Sequence, residues 1–287
     1  MKKQLSIKWL ALAFATSLFI SACSTIQKID SANEQQKEQQ SEQLPPVELS
    51  ANSLTELTAL FDRLKYSRDN CTKDNCEIPR MTFNGISKNW KETSDKLPVQ
   101  VKKELFFRLM APLVLIANEK IKDERDIIEN SALDSPALKT IALKYQVIKD
   151  AQSNVDEGLR QQLLQRVDIL PPSLALAQAA EESGWATSRF AIEGNAFFGQ
   201  WDFSGKGMKP LQQRKSLGNY GVARFSSPLA CVEGYMLNIN SNKAYQKLRT
   251  LRAQLRAQSK AVTGYQLAGT LDKYSERGQA YIDGLRS

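Results

Sequence analysis

The sequence predicts a mainly α-helical protein with a small β-hairpin lobe. Three observations carry this. Apolar residues recur at three- and four-residue spacing through most of the stretch from Glu48 to Leu170, the period of helices that bury one face. Prolines stand where helices would begin, at Pro171-Pro172 and in Ser226-Ser227-Pro228, and a helix accepts proline in its first turn. Glycines then cluster at positions 199, 205, 207, 218 and 221, around short alternating runs such as Tyr220-Gly-Val-Ala-Arg-Phe225. Such runs read as strands and turns.

Taken in order, the chain opens with Lys2, Lys3 and Lys8 ahead of an apolar run from Trp9 to Ile20. That run is too short for a permanent membrane span, and residues 1–22 read as an export signal. Residues 23–48 are rich in Gln, Glu, Ser and Lys, with Pro45-Pro46 near their end, the composition of a flexible tether. A first helix is expected from Glu48 to Tyr66, with Leu54, Leu57, Leu60, Phe61 and Leu64 on one side. Val99 to Lys122 reads as a strongly apolar helix interrupted by Pro112. Pro136 to Ile148 and Val155 to Leu170 continue the helical pattern, and a further helix starts at Pro171-Pro172. The hairpin lobe is expected between Phe197 and Phe225, followed by a helix over 228–240 and more helices to the end. Residues 49–149 thus form an N-terminal helical region and 150–287 a second domain.

Composition removes several chemistries. The chain has no histidine, so Ser-His-Asp and Cys-His arrangements are excluded, and a catalytic zinc site loses its usual ligands. No Gly-rich phosphate loop is present. No metal or cofactor is implied, and Asp, Glu, Tyr, Lys and Cys remain as acid-base groups. The net charge is +8, and loss of residues 1–22, with three lysines and no acids, leaves +5. An excess of Lys and Arg on an exported chain suits an anionic polymer or anionic lipid; export and the lack of a nucleic-acid motif argue against nucleic acid.

The signal ends in Ile20-Ser21-Ala22-Cys23, which resembles the lipobox of bacterial lipoproteins. The resemblance implies cleavage before Cys23 and its lipidation, and Ser24 in place of Asp implies an outer-membrane anchor facing the periplasm. Several acyl chains hold stably where one does not. Cys71 and Cys76 flank a polar turn and are expected to form a local disulfide in an oxidising compartment. Cys231, at an apolar helix start, reads as a buried thiol.

The densest chemical signal is Leu174-Ala-Leu-Ala-Gln-Ala-Ala-Glu-Glu-Ser-Gly-Trp185. Glu182 lies three residues after Ala179 and seven after Ala175, on their apolar face. Gly184 is a helix terminator, so Glu182 also sits near the negative end of the helix dipole. Desolvation and dipole both raise a carboxyl pKa, as a general acid near neutral pH requires. A surface pair at a helix end is the alternative for two adjacent glutamates.

Ala179-Ala-Glu-Glu-Ser-Gly-Trp185, Ser188-Arg-Phe-Ala191, Gly194-Asn-Ala-Phe-Phe-Gly199 and the late Tyr274 and Tyr281 together resemble the bacterial glucosaminidases of the flagellar peptidoglycan-hydrolase and autolysin type. Gln213-Arg-Lys-Ser216, Ala244-Tyr-Gln246 and Tyr274-Ser-Glu-Arg277 point to the Bax-like group within them, over roughly residues 150–287. Glu77 to Lys122 also looks like the N-terminal part of that group. The resemblance implies a lysozyme-like α+β fold and cleavage of the β-1,4 bond between N-acetylglucosamine and N-acetylmuramic acid in peptidoglycan glycan strands. It puts the catalytic acid on Glu182 and a groove tyrosine, holding the attacking water or the acetamido group, on Tyr274, for which a helix-surface aromatic with a wet hydroxyl is the alternative. The family's second carboxylate lies in the β-lobe, yet residues 203–232 hold no Asp or Glu; Asp202, Glu193 and Glu233 are nearest. Substrate assistance by the acetamido group, or a water held by polar groups, would replace it. Trp201 reads as a sugar platform or a core residue, Trp185 as a packing residue, Asn195 as a turn-orienting residue or substrate contact, and Arg214 as a partner for substrate carboxylates or a solvated turn. A lytic transglycosylase and a noncatalytic peptidoglycan-binding lipoprotein are the competing readings.

Overall fold

The computed structural model describes residues 45–51, 53–67, 70, 77–211, 218 and 220–287. The signal, Cys23, the tether up to residue 44, Cys71, Cys76 and Arg214 lie outside the described residues. The described helices and strands all fall within one unit, Pro46–Ser287. Among the described residues, eleven α-helices surround two very short sheets.

The described residues begin inside the segment expected to be tether. Val47–Leu49 forms strand β1, which pairs in parallel with β2, Met81–Phe83, in the register Val47↔Met81 to Leu49↔Phe83. The β1 pattern is too short to show as periodicity, and its partner lies 34 residues away. Helix α1, Leu54–Arg63, is shorter than expected because the Ser53 side chain accepts from the Glu56 N–H and sets its start. Leu49, Leu54, Leu57, Phe83, Trp90 and Leu109 line a cavity of about 270 Å³ between these elements and the long helix below.

After α2, Trp90–Asp95, that long helix α3 runs unbroken from Val99 to Asn130. The sequence suggests an interruption at Pro112 and an end near Lys122; neither occurs. Pro112 removes one backbone bond, but Met110, Leu113, Val114, Ala117 and Ile121 around it are all buried. Burial of a large apolar side chain contributes about 1.5–3 kcal/mol, and several together hold the helix through the missing bond. Beyond residue 122, Ile128 is fully buried and extends the stripe.

Around α3 pack α4 (Pro136–Lys144), α5 (Glu157–Arg166), α6 (Pro172–Ser183) and α8 (Pro228–Ser241). The buried face of α6 includes Ala175, Ala179 and Ala180, small enough for close approach to α3. The N-terminal helical region is therefore packed against the second domain in one core. Helices α7 (Arg189–Gly194), α9 (Gln246–Ala257), α10 (Gly264–Ala268) and α11 (Gln279–Arg286) complete the chain. The small β-lobe follows the sequence expectation: among the described residues β3, Trp201–Asp202, pairs antiparallel with β4, Gly221–Val222, with one further bridge between Met208 and Val222.

One charged side chain joins several of these elements. Arg252 of α9 is wholly buried. It donates to the carbonyls of Asp168 (2.8 Å) and Arg166 (2.9 Å) and to Asn240 Oδ1 (2.9 Å). Arg256 grips the Asp168 carboxylate at 2.5 and 2.8 Å. Burial lowers the Arg252 pKa to about 10, which leaves it charged at neutral pH beside Asp168. Among the described residues no helix is long and apolar enough to cross a membrane.

Candidate active site

Helix α6 ends abruptly just past the two glutamates. Gly184 adopts the left-handed conformation (φ 57°, ψ 47°), and Trp185 and Ala186 follow it with φ of 60° and 65°. Left-handed backbone costs a side-chain-bearing residue roughly 1–2 kcal/mol, so neighbours must hold the turn. Ser183 Oγ donates to the Ala179 carbonyl (2.6 Å) and accepts from the Ala186 N–H (2.9 Å). Trp90 Nε1 donates to the Trp185 carbonyl (3.2 Å), and the Trp185 ring stands edge-on to Phe106 and Phe107 of α3. Trp185 is a packing residue here.

The two glutamates part company. Glu181 is exposed and forms an ion pair with Arg277. Glu182 is half-buried. Burial pushes its carboxyl above the ordinary 4.5; a hydrogen bond from Tyr281 pulls it back in part, with Glu181 adding a push and Arg277 a pull. Glu182 Oε2 faces Gly199, where an added Cβ would sit 3.3 Å from it. Gly199 itself has a φ of 61°, so both its backbone and its neighbour favour glycine.

Aromatic rings surround the acid. Tyr281 is buried and stacks on Tyr274, centroids 5.5 Å apart. Tyr245 approaches Tyr274 at 5.8 Å, and Tyr235 stacks on Phe198 at 3.9 Å. The Tyr274 hydroxyl donates to the Phe198 carbonyl (3.1 Å), so its proton holds the loop that carries Gly199. Tyr281 is the tyrosine whose hydroxyl meets Glu182. Burial first, and the nearby Glu182 charge second, keep Tyr281 protonated far above the usual tyrosine range.

Sequence reasoning passed over Gln178 and Tyr235. Gln178 is fully buried; its Nε2 donates to Tyr281 Oη (3.1 Å) and its Oε1 accepts from Tyr235 Oη (2.6 Å). A signal for Gln178 existed, since it stands one turn before Glu182 on the same helix face. Nothing local links Tyr235 to Glu182, because they come from different helices.

The lobe presents Trp201, 50% exposed, next to Phe203, 65% exposed, with Tyr220 at 5.2 Å from the indole. Trp201 is thus a solvent-facing aromatic, two residues from Gly199. Asn195 orients the turn ahead of Phe197. It ends α7 in the left-handed conformation, and its Nδ2 donates to the carbonyls of Asn84 (3.2 Å) and Phe225 (3.3 Å).

The carboxylates nearest the lobe have partners of their own. Glu193 pairs with Arg189 at 3.2 Å and Glu233 with Lys120. Asp202 accepts from the Ser204 N–H at 2.7 Å, and its bonds with Ser204 hold it below the usual carboxylate range. Cys231 is buried, takes a bond from the Phe197 N–H (3.3 Å), and burial raises its thiol to about 12. It is an inert support behind the loop. Among the described residues no acidic or sulfur cluster is arranged to hold a metal.

Comparison with known proteins gives two positive findings. Residues 158–287 match the glucosaminidase family model, described as mannosyl-glycoprotein endo-beta-N-acetylglucosaminidase. Protein bax of Escherichia coli strain K12 is 34% identical over 187 residues, which is 63% of this chain and 66% of that relative. The matched part thus spans just under two thirds of the relative's length. No solved structure matches the chain.

Proposed function

We propose a function from one premise: the chain is a Bax-like member of the glucosaminidase family, with the family domain over residues 158–287. It is a peptidoglycan glycosidase that hydrolyses the β-1,4 bond between N-acetylglucosamine and N-acetylmuramic acid, with Glu182 as general acid. The observation that carries this reading is the environment of Glu182. It is half-buried, its protonated form is favoured by burial, and one oxygen borders Gly199 at the edge of the aromatic lobe.

Glu182 gives its proton to the glycosidic oxygen as the bond from that oxygen to the anomeric carbon breaks. Asp202, Glu193 and Glu233 already have partners, which supports a mechanism without a second carboxylate. The acetamido oxygen of the N-acetylglucosamine unit closes on the anomeric carbon, or a held water attacks it directly and loses its proton to solvent. In the first case water then opens the ring and returns its proton to the Glu182 carboxylate. Trp201 offers an exposed aromatic face to sugar C–H surfaces. Lipidation of Cys23 would hold the enzyme on the outer membrane, facing the periplasm; loss of acyl labelling in Cys23→Ala tests that separately.

The deciding experiment is mass spectrometry of soluble products from purified peptidoglycan, with the chain and its Glu182→Gln form. Fragments ending in reducing N-acetylglucosamine, absent with the variant, are expected. Anhydromuramic ends would make it a lytic transglycosylase. Binding to the sacculus without fragments would make it a noncatalytic wall-binding protein.

A further inference from the structure

Resting on Glu182 as the acid, the geometry points to Gln178 as a positioning residue. With Tyr235 and Tyr281 it forms a one-way hydrogen-bond relay that turns the Tyr281 proton toward Glu182 and leaves the acid's own proton for the oxygen beside Gly199.

The directions follow from which atoms give protons. Tyr235 Oη donates to Gln178 Oε1 (2.6 Å), which leaves the amide nitrogen as the donor toward Tyr281. Gln178 Nε2 donates to Tyr281 Oη (3.1 Å), so the Tyr281 proton is free of that contact and is given to Glu182. The relay requires this bond to fall on Oε1, since a carboxyl oxygen that accepts it is the poorer place for a catalytic proton. Oε2, facing Gly199, is where the proton can reach a glycosidic oxygen. Gln178 and Tyr235 are both fully buried, so water does not compete for the bonds, and buried chains of this kind hold their polarity. A buried glutamine between two tyrosines costs stability unless each atom is satisfied. That cost is explained if the amide sets the direction.

The other groups around Glu182 do not supply this bond. Tyr274 gives its proton to Phe198, Tyr245 is hydrogen-bonded to Asn238, and Glu181 is paired with Arg277 on the solvent side.

The test titrates the Glu182 side-chain carboxyl by carbon-13 NMR in the full chain, beside kcat against pH on peptidoglycan. Variants are Gln178→Met, which keeps the volume, Tyr281→Phe, which keeps the ring stack, their double variant, and Tyr235→Phe. Removing the Tyr281 bond destabilises the carboxylate. The expected result is an upward shift of the Glu182 midpoint in each single variant. The double variant should shift no further than Tyr281→Phe, and kcat should fall about tenfold with KM little changed. A downward shift in Gln178→Met would mean that the amide points the other way and withholds the Tyr281 proton. No shift, or additive shifts in the double variant, would reduce Gln178 to packing. Either result overturns the relay. Should Gln178→Met fail to fold, Tyr235→Phe decides by the same sign. The NMR titration reads the relay even if peptidoglycan proves not to be the substrate, so the two readings fail separately.

Discussion

At the residue scale, two adjacent glutamates differ because one faces solvent and the other faces tyrosines. Glu182→Gln should lower hydrolysis at least ~100-fold, while Glu181→Gln, which loses only an exposed ion pair, should stay within about fivefold. The same carboxyl has a consequence for stability. Its folded pKa is raised above 4.5 by burial, so the folded state is favoured in full below pH 4.5 and loses that advantage as pH rises through the raised value. Glu182→Gln, neutral throughout, should therefore melt higher than the parent at about pH 7, with the gap closing near pH 4. Equal gaps at both pH values in thermal melts would contradict the assigned burial effect. Gly199→Ala meets both a positive φ and Glu182 Oε2. It should cost about 1 kcal/mol of stability and at least ~10-fold in rate, read by denaturant melts and product formation. Glu182 was legible in the sequence because helical spacing puts it beside Ala175 and Ala179. Tyr281 was legible only as a motif residue, since its contact with Glu182 depends on how α11 packs on α6.

At the element scale, the end of α6 is a strained turn held by a few bonds. Ser183→Ala leaves the buried Ala186 N–H without its acceptor and should cost ~1–3 kcal/mol, measured as a lower midpoint in urea. Activity should fall more steeply than stability, because Glu182 is the residue just before Ser183. The helices were legible where apolar spacing was strong, as in α3 and α8. Their ends were less so: caps such as Ser53 and the burial of Ile128 move boundaries in ways that periodicity alone does not register. In the lobe, glycines mark turns and close approach, and among the described residues Trp201–Asp202 and Gly221–Val222 pair as strands.

At the scale of the whole molecule, the N-terminal helical region supplies one wall of the core that holds the site. Leu113, Val114 and Ala117 of α3 and Ala175 and Ala179 of α6 belong to one buried cluster. Residues 150–287 expressed alone should lack a cooperative melt and near-ultraviolet circular dichroism, although they contain the whole matched family domain, 158–287. A folded, active fragment would overturn this. Asp168→Asn removes the carboxylate that faces buried Arg252 and should cost about 3 kcal/mol, whereas Arg256→Ala, which leaves Arg252 its partner, should cost less. Periodicity marked both helical regions but carried no information on their joining, because a shared core is a property of side chains far apart in the chain.

The parallel pair β1–β2 gives the molecule a mechanical character. A pull on the chain ahead of Pro46 arrives first at three paired residues, Val47–Leu49. A load along the strand shears these bonds together, and a load across it peels them singly. Peeling withdraws Leu49 from the wall of the 270 Å³ cavity, while α6 and Glu182 take no part in that first step. The pair should therefore act as a fuse that yields before the helices around Glu182 are loaded. Force spectroscopy from the N-terminal side should register a small early yield before the main rupture, with the Glu182 environment intact between the two.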